Sequence, residues 1–233
     1  MRCDYISVYD VGLTAFDITG WEKRGEDSDR FSNSDTNSGM RQKLIDHMQF
    51  TGYIRCVNCN GAGAWEFISP HFTLGLMGQL LGANEDVDTG SMVGQLQLYD
   101  ETSPQWQSDG EEQFLERLKL DPEDSYLWSK LGNLYKTGGR PELAAAVFEH
   151  SVEIDASQVE SHYSLAALLM QIGELELAAK HFRQALVHAR VYTKLDALNL
   201  RELLAHGLCD LLDIHQATKE QGPFLPTQEE VAV

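Results

Sequence analysis

Three glycines in the C-terminal half of the chain, Gly139, Gly173 and Gly207, stand 34 residues apart. Leu131 and Leu165, Ala144 and Ala178, and Phe148 and Phe182 keep the same interval. A period of this length narrows the fold more than any other feature. A unit of that size cannot bury its apolar face alone, so successive units must stack and cover one another. Two helices with a glycine at the turn between them satisfy both the spacing and the apolar pattern, and a stacked helix-turn-helix array is the expected architecture from about residue 110 onward.

The first unit, Tyr126 to Ala156, carries Trp128, Leu131, Gly132, Tyr135, Gly139, Ala144 and Phe148 in that order. Trp128, Leu131 and Tyr135 share one helical face. Gly132 and Ala144 are small where two helices must approach closely, and Pro141 suits the first position of the second helix. This order resembles the tetratricopeptide repeat. The second unit, Val159 to Ala189, keeps Leu165, Ala166, Gly173, Ala178, Phe182 and Ala185, with His162 and Leu169 where the family has Trp and Tyr. The clear repeats run over 125–158 and 159–192. Glu111 to Leu120 is read as the second helix of a degenerate preceding unit, with Phe114 in the register of Phe148 and Phe182. Lys194 to His206 and Leu208 to His215 are read as two helices of a cap. The helical domain spans 106–218, and a flexible tail, 219–233, follows.

The resemblance implies a non-catalytic interaction module, an adaptor that binds a peptide or partner helix in a groove lined by the first helix of each unit. Carried over by position, the groove is lined by Tyr126, Ser129, Asn133 and Lys136, then Glu160, Tyr163, Ala167 and Met170, then Lys194, Ala197 and Arg201. Asn133 matches an asparagine that in some members clamps a peptide backbone or terminal carboxylate, while Ser129 and Ala167 replace the companion lysine and asparagine. Tyr126, Tyr163 and Met170 offer apolar anchors. The alternative is that two units and a cap make only a shallow surface covered by the N-terminal half.

Residues 1–105 follow another grammar, in which glycines and short polar runs break every periodic segment. Short strands are expected over Arg2 to Asp10 and Met92 to Tyr99, a short helix over Arg41 to Phe50, and strand, turn and strand over Tyr53 to Ile68. Glu26 to Gly39 reads as a polar loop and Asp100 to Gly110 as a linker. The whole is an α+β chain: a small β-rich domain followed by an α-helical array. Within that domain Cys56 and Cys59 flank a turn followed by Gly61 and Gly63. Two thiolates at this spacing can meet one zinc ion. The string resembles a zinc-ribbon knuckle, and also one unit of the cysteine-rich region of J-domain co-chaperones. A structural zinc would need further ligands, for which Cys3, His71 and His47 are candidates; Cys209 is read as a core thiol. A knuckle without metal and a redox pair remain alternatives. A metal-dependent enzyme or regulator sited around Cys56, Cys59 and His71 is the second functional class.

Composition excludes several partners. Acids outnumber bases 36 to 18 in 233 residues, giving a net charge of −18 and a pI near 4.7. Nucleic acid and anionic membrane both call for a basic surface. No apolar stretch reaches the ~20 residues of a spanning helix, and the first residues do not read as a secretory signal. Four cysteines do not make a disulfide framework at this length, so a reducing cytoplasm is expected. No phosphate loop, nucleophile elbow or His-Glu-x-x-His pair appears. His162 reads as a packing residue, His181 and His188 as a solvated face, and Glu85, Asp86 and Asp88 as a solvated loop.

Overall fold

Residues 3–17, 44–63, 65–68, 75, 78, 91–219 and 222–232 are described by the computed structural model. They fall into two units, one of residues 1–113 with 137–139, the other of 114–136 with 140–233.

The first unit holds a three-stranded sheet of minimal length: β1 (Thr14–Phe16), β2 (Met48–Phe50) and β3 (Ser91–Val93), ordered β2-β1-β3. β1 runs antiparallel to β2, with Thr14 opposite Phe50, and parallel to β3, with Thr14 opposite Ser91. Three-residue strands are not stable by themselves. A cluster of Phe16, Leu44, Met48, Phe50, Ile54 and Trp106 holds them, with Phe50 stacked on Trp106 at 4.5 Å. Buried Gln49 ties in the chain beyond β3. Its amide donates to the carbonyls of Leu96 (2.8 Å) and Pro104 (3.1 Å), and its oxygen accepts the Leu96 N–H.

Several expectations for this half are corrected. Residues 3–10 form no strand, and Val8 is 97% exposed; the first strand begins at Thr14. The segment read as a helix ending at Phe50 keeps one helical turn over 44–46 before joining the sheet as β2. Helices this short are marginal without packing, and pairing with β1 captures Met48 to Phe50. The strand expected from Met92 to Tyr99 stops at Val93, because Gly94 at φ +143° adopts a backbone disfavoured for other residues. The polar loop Glu26 to Gly39 and the acidic run at 85–88 lie outside the described residues.

The helices are α1 (Gln107–Leu120), α2 (Ser125–Thr137), α3 (Pro141–Ile154), α4 (Val159–Gln171), α5 (Leu175–His188), α6 (Ala197–Ala217) and a short α7 (Gln228–Val231). A 3₁₀ turn, Ala189–Val191, follows α5. The α2–α3 and α4–α5 turns use Gly139 at φ +73° and Gly173 at φ +84°, where a side chain would be strained. Pro141 opens α3. Phe114, Phe148 and Phe182, the register residues of the sequence, are all fully buried. A Cβ on Gly132 would lie 2.5 Å from the Phe148 ring, so this glycine is what lets α2 and α3 close. The equivalent residue in the second pair, 34 positions on, is Ala166, also fully buried. Among the described residues no helix is long and apolar enough to cross a membrane.

The third glycine of the period does not mark a turn. The two cap helices expected on either side of Gly207 are one helix, α6, started by Asp196, whose Oδ1 accepts the N–H groups of Leu198 and Asn199. Gly207 is buried, and the rings of Phe182 and Tyr163 lie 3.4 and 3.5 Å from where its Cβ would stand. The C-terminal segment, expected to fray, is tied down. Arg183 Nε donates to both carboxylate oxygens of Glu230 at 3.0 Å, and its Nη1 donates to the Pro223 carbonyl. Thr227 and Glu230 close a reciprocal cap on α7, and Phe224 packs with Leu211 and Ile214.

The two glycines should respond oppositely to alanine. Gly132→Ala drives a methyl into the buried Phe148 ring and is expected to lose about 1–3 kcal/mol. Gly207→Ala meets ordinary contact distances inside a helix and is expected to gain about 0.5–1 kcal/mol. Urea unfolding followed by helical circular dichroism measures both; equal effects would show that close helix approach is not what Gly132 provides.

Candidate functional site

On α2, Tyr126 is half-buried, with Lys130 Nζ 4.4 Å and Lys194 Nζ 5.3 Å from its ring centre. Asn133 is half-buried and Lys136 exposed, although partial burial still lowers the Lys136 pKa. Ser129 departs from its expected place: it is wholly buried, so it presents nothing to a partner. On α4, Tyr163, Ala167 and Met170 are half-buried. Tyr163 meets Phe182 edge-on, with ring centres 5.6 Å apart, and Tyr163 and Met170 both pack on the cluster of Ala166, Phe182, Leu211 and Ile214. Lys194, Ala197 and Arg201 are exposed.

Glu160, a groove position by repeat register, is instead buried. It takes a 2.5 Å contact from Lys130 Nζ and a 2.6 Å hydrogen bond from the Tyr192 hydroxyl. Burial and then the Glu160 carboxylate raise the Tyr192 pKa, so the phenol keeps its proton. A seam of neutral groups continues from there. Gln158 donates to Ser125 Oγ at 2.8 Å, Ser151 Oγ donates to the Ser125 carbonyl at 2.7 Å, and the Ser151 and Ser161 hydroxyls meet at 2.8 Å. The sequence gives little sign of this seam, because each serine alone resembles an ordinary helix-surface residue.

A histidine group lies between α4 and α5. His162 is buried, with Nε2 donating to the Ala156 carbonyl (3.0 Å) and Nδ1 2.9 Å from Nδ1 of His181. The carbonyl fixes the tautomer, so His181 Nδ1 carries the shared proton. The His188 ring stacks over His162 at 6.1 Å. His181 and His188 are therefore half-buried around His162 and do not form a solvated face. Burial, and then the neighbouring His181, holds His162 down to about 4; burial, and then Lys180, holds His181 down to about 4.

In the N-terminal unit the Sγ atoms of Cys3, Cys56 and Cys59 all lie within 4.8 Å of one another. Cys3 and Cys56 are 3.7 Å apart, and Asn58 Nδ2 is 3.5 Å from Cys3 Sγ. The turn is closed by the Cys56 N–H on the Gly61 carbonyl and the Asn60 N–H on the Cys56 carbonyl, with Asn60 at φ +54°. Arg55 anchors its base: Nη1 donates to the Asn60 carbonyl, Nε to Glu111 and Nη2 to Glu112. The Asn58 amide, the Tyr5 N–H and Cys56 lower the Cys3 thiol to about 7. At Cys59 the Gly61 N–H acts downward, but the bonds with Cys56 and Cys3 outweigh it and the pKa rises. His71 lies outside the described residues, and His47 does not join the three thiols. Cys209, read as a core thiol, is exposed on α6.

Residues 125–158 and 159–186 match the family model described as the tetratricopeptide repeat. Two curated proteins are similar to part of the chain. A peroxisomal targeting signal receptor of Candida glabrata is 33% identical over 73 residues, covering 31% of this chain and 12% of that protein. Superkiller protein 3 of Saccharomyces cerevisiae is 34% identical over 70 residues, covering 30% and 5%. This chain thus spans only a small part of those relatives. Among solved structures, PcrH in complex with the chaperone binding region of PopD is similar at 17% identity and a TM-score of 0.42, covering 63% of this chain and 90% of that one. A T3SS complex from Aeromonas hydrophila aligns at 16% identity and 0.41, covering 88% and 99%. The helical half of the chain carries two tetratricopeptide repeats.

The histidines give the helical unit an acid-sensitive stability. The folded state holds His162 and His181 neutral down to about pH 4, whereas an unfolded histidine takes up its proton near ~6.5. Between those values the unfolded chain binds more protons, so stability falls as the pH falls. The expected slope is at most about 1.4 kcal/mol per pH unit for each histidine, and less for His181, which water partly reaches. Unfolding midpoints at pH 7, 5.5 and 4.5 test this, and His181→Gln should flatten the dependence.

Proposed function

We propose that this chain is a non-catalytic adaptor whose two repeats hold a peptide or a helix of a protein partner against α2 and α4. The observation that carries it is the set of side chains that α2 and α4 leave partly open while burying Leu131, Leu165 and Ala166 beneath them. α3 and α5 supply the fully buried Phe148 and Phe182. On α2 and α4, Tyr126, Asn133, Tyr163, Ala167 and Met170 keep part of their surface open. That set combines aromatic and thioether anchors with an amide able to hold a peptide backbone. Lys136 and Arg201 place positive charge at groove positions of a chain with a net charge of −18, which favours a partner that carries acidic residues beside apolar ones. One similar protein, matched over 73 residues, is by name a receptor for a targeting signal. The same acidic balance disfavours nucleic acid as the partner. A reducing compartment such as the cytoplasm keeps all four cysteines as thiols.

Affinity capture followed by mass spectrometry, with variants on the two kinds of helix, tests this. Asn133→Ala combined with Lys136→Glu and Arg201→Glu is expected to lose the partners that wild type retains. Glu149→Lys, on an exposed position of α3, is expected to keep them. Equal retention by both variants would overturn the groove assignment.

A further inference from the structure

We infer that Cys3, Cys56 and Cys59 supply three thiolates to one soft divalent cation of the zinc class. The spacing of the sulfurs is the first argument. Zinc–sulfur bonds of ~2.3 Å at tetrahedral angles put neighbouring sulfurs about 3.8 Å apart. Cys3 and Cys56 are already 3.7 Å apart, and all three sulfurs fall within 4.8 Å of one another. A disulfide would need ~2.05 Å. The pair therefore stands at the separation of two ligands on one ion, and small rotations of the exposed Cys3 and Cys59 side chains complete the triangle.

The surroundings supply the second argument. A bound thiolate is stabilised by N–H groups aimed at its sulfur. The Tyr5 and Gly61 N–H groups and the Asn58 amide serve Cys3 and Cys59 in this way. Gly61 allows the close approach: a Cβ there would lie 3.3 Å from Cys59 Sγ. The turn is also braced by Arg55, which donates to the Asn60 carbonyl and to Glu111 and Glu112 in α1. Three thiolates select zinc or cobalt over magnesium and calcium, which prefer oxygen. No fourth histidine, cysteine or carboxylate joins the three among the described residues.

The ion would staple the segment around Cys3 to the knuckle, two stretches about fifty residues apart in sequence that the Val57 N–H, donated to the Tyr9 hydroxyl, also ties together. Binding releases the thiol protons and requires no oxidant or reductant.

The test is metal content and cobalt spectroscopy on the full chain, purified under reductant and reloaded with zinc or cobalt. Wild type and Cys209→Ser are expected to hold one ion per chain. Their cobalt forms should show thiolate-to-metal charge transfer and the intense visible bands of tetrahedral cobalt. Cys3→Ser and Cys59→Ser, both at exposed positions, are expected to weaken binding about tenfold or more while helical circular dichroism stays unchanged. Cys56→Ser, at a buried position, serves as a third variant, with folding checked the same way. Three results would overturn the site: zinc well below one per chain in reloaded wild type, binding unchanged by Cys3→Ser, or octahedral cobalt without charge transfer. Binding that persists in the triple serine variant would show adventitious metal and count equally against it.

Discussion

Phe148 can lie at the centre of its helix pair only because Gly132 presents no side chain beneath the ring. From that contact the rest of the array follows. With the ring seated, Leu131 and Ala144 are fully buried, and Gly139 needs to supply only a short left-handed turn. The next pair solves the same problem with one more methyl, since Ala166 stands where Gly132 does in the first. Burying a phenylalanine contributes on the order of 1.5–3 kcal/mol. Three such residues, Phe114, Phe148 and Phe182, are fully buried at the same register of α1, α3 and α5, which no single pair could achieve alone.

Apolar packing does not by itself fix which helix neighbours which. The polar seam between the two repeats adds that constraint. Ser125, Ser151, Ser161 and Gln158 satisfy one another, while Glu160 is held by Lys130 and Tyr192. A shift of one turn would leave several buried groups unpaired, each costing ~1–3 kcal/mol. The buried ion pair adds little net stability against a hydrophobic replacement, yet its loss on one side is expensive, which favours a role in register. The same network takes Glu160 out of the groove and brings the 189–196 segment against α4 through Tyr192, packed with Val159 and Ala185.

The helical half was legible because its signal repeats. Residue type, interval and turn chemistry agree twice over, and Gly139 and Gly173 turn as expected. Gly207 shows the limit of periodicity: it keeps the interval but sits inside α6, where Asp196 starts a helix that nothing nearby breaks. The N-terminal half was less legible for a different reason. Strands of three residues leave almost no alternation to read, and the pattern from Tyr5 to Val8 belongs to exposed chain, with only Tyr9 packing on the core. The turn at Cys56 and Cys59 could be read from its spacing. The approach of Cys3 is a long-range event that a linear pattern can suggest but not place. His181 and His188, seven apart, looked solvated because the partner that buries them, His162, lies on another helix.

Arg183 commits its guanidinium to Glu230 and the Pro223 carbonyl, and Phe224 covers the apolar ends of α5 and α6. The stretch from Pro223 to Val231 thus serves as a cover for the last helix pair. Loosening that segment would therefore free the Arg183 guanidinium and uncover the apolar surface around Leu211 and Ile214 together, so the tail and the last helix pair share one stability.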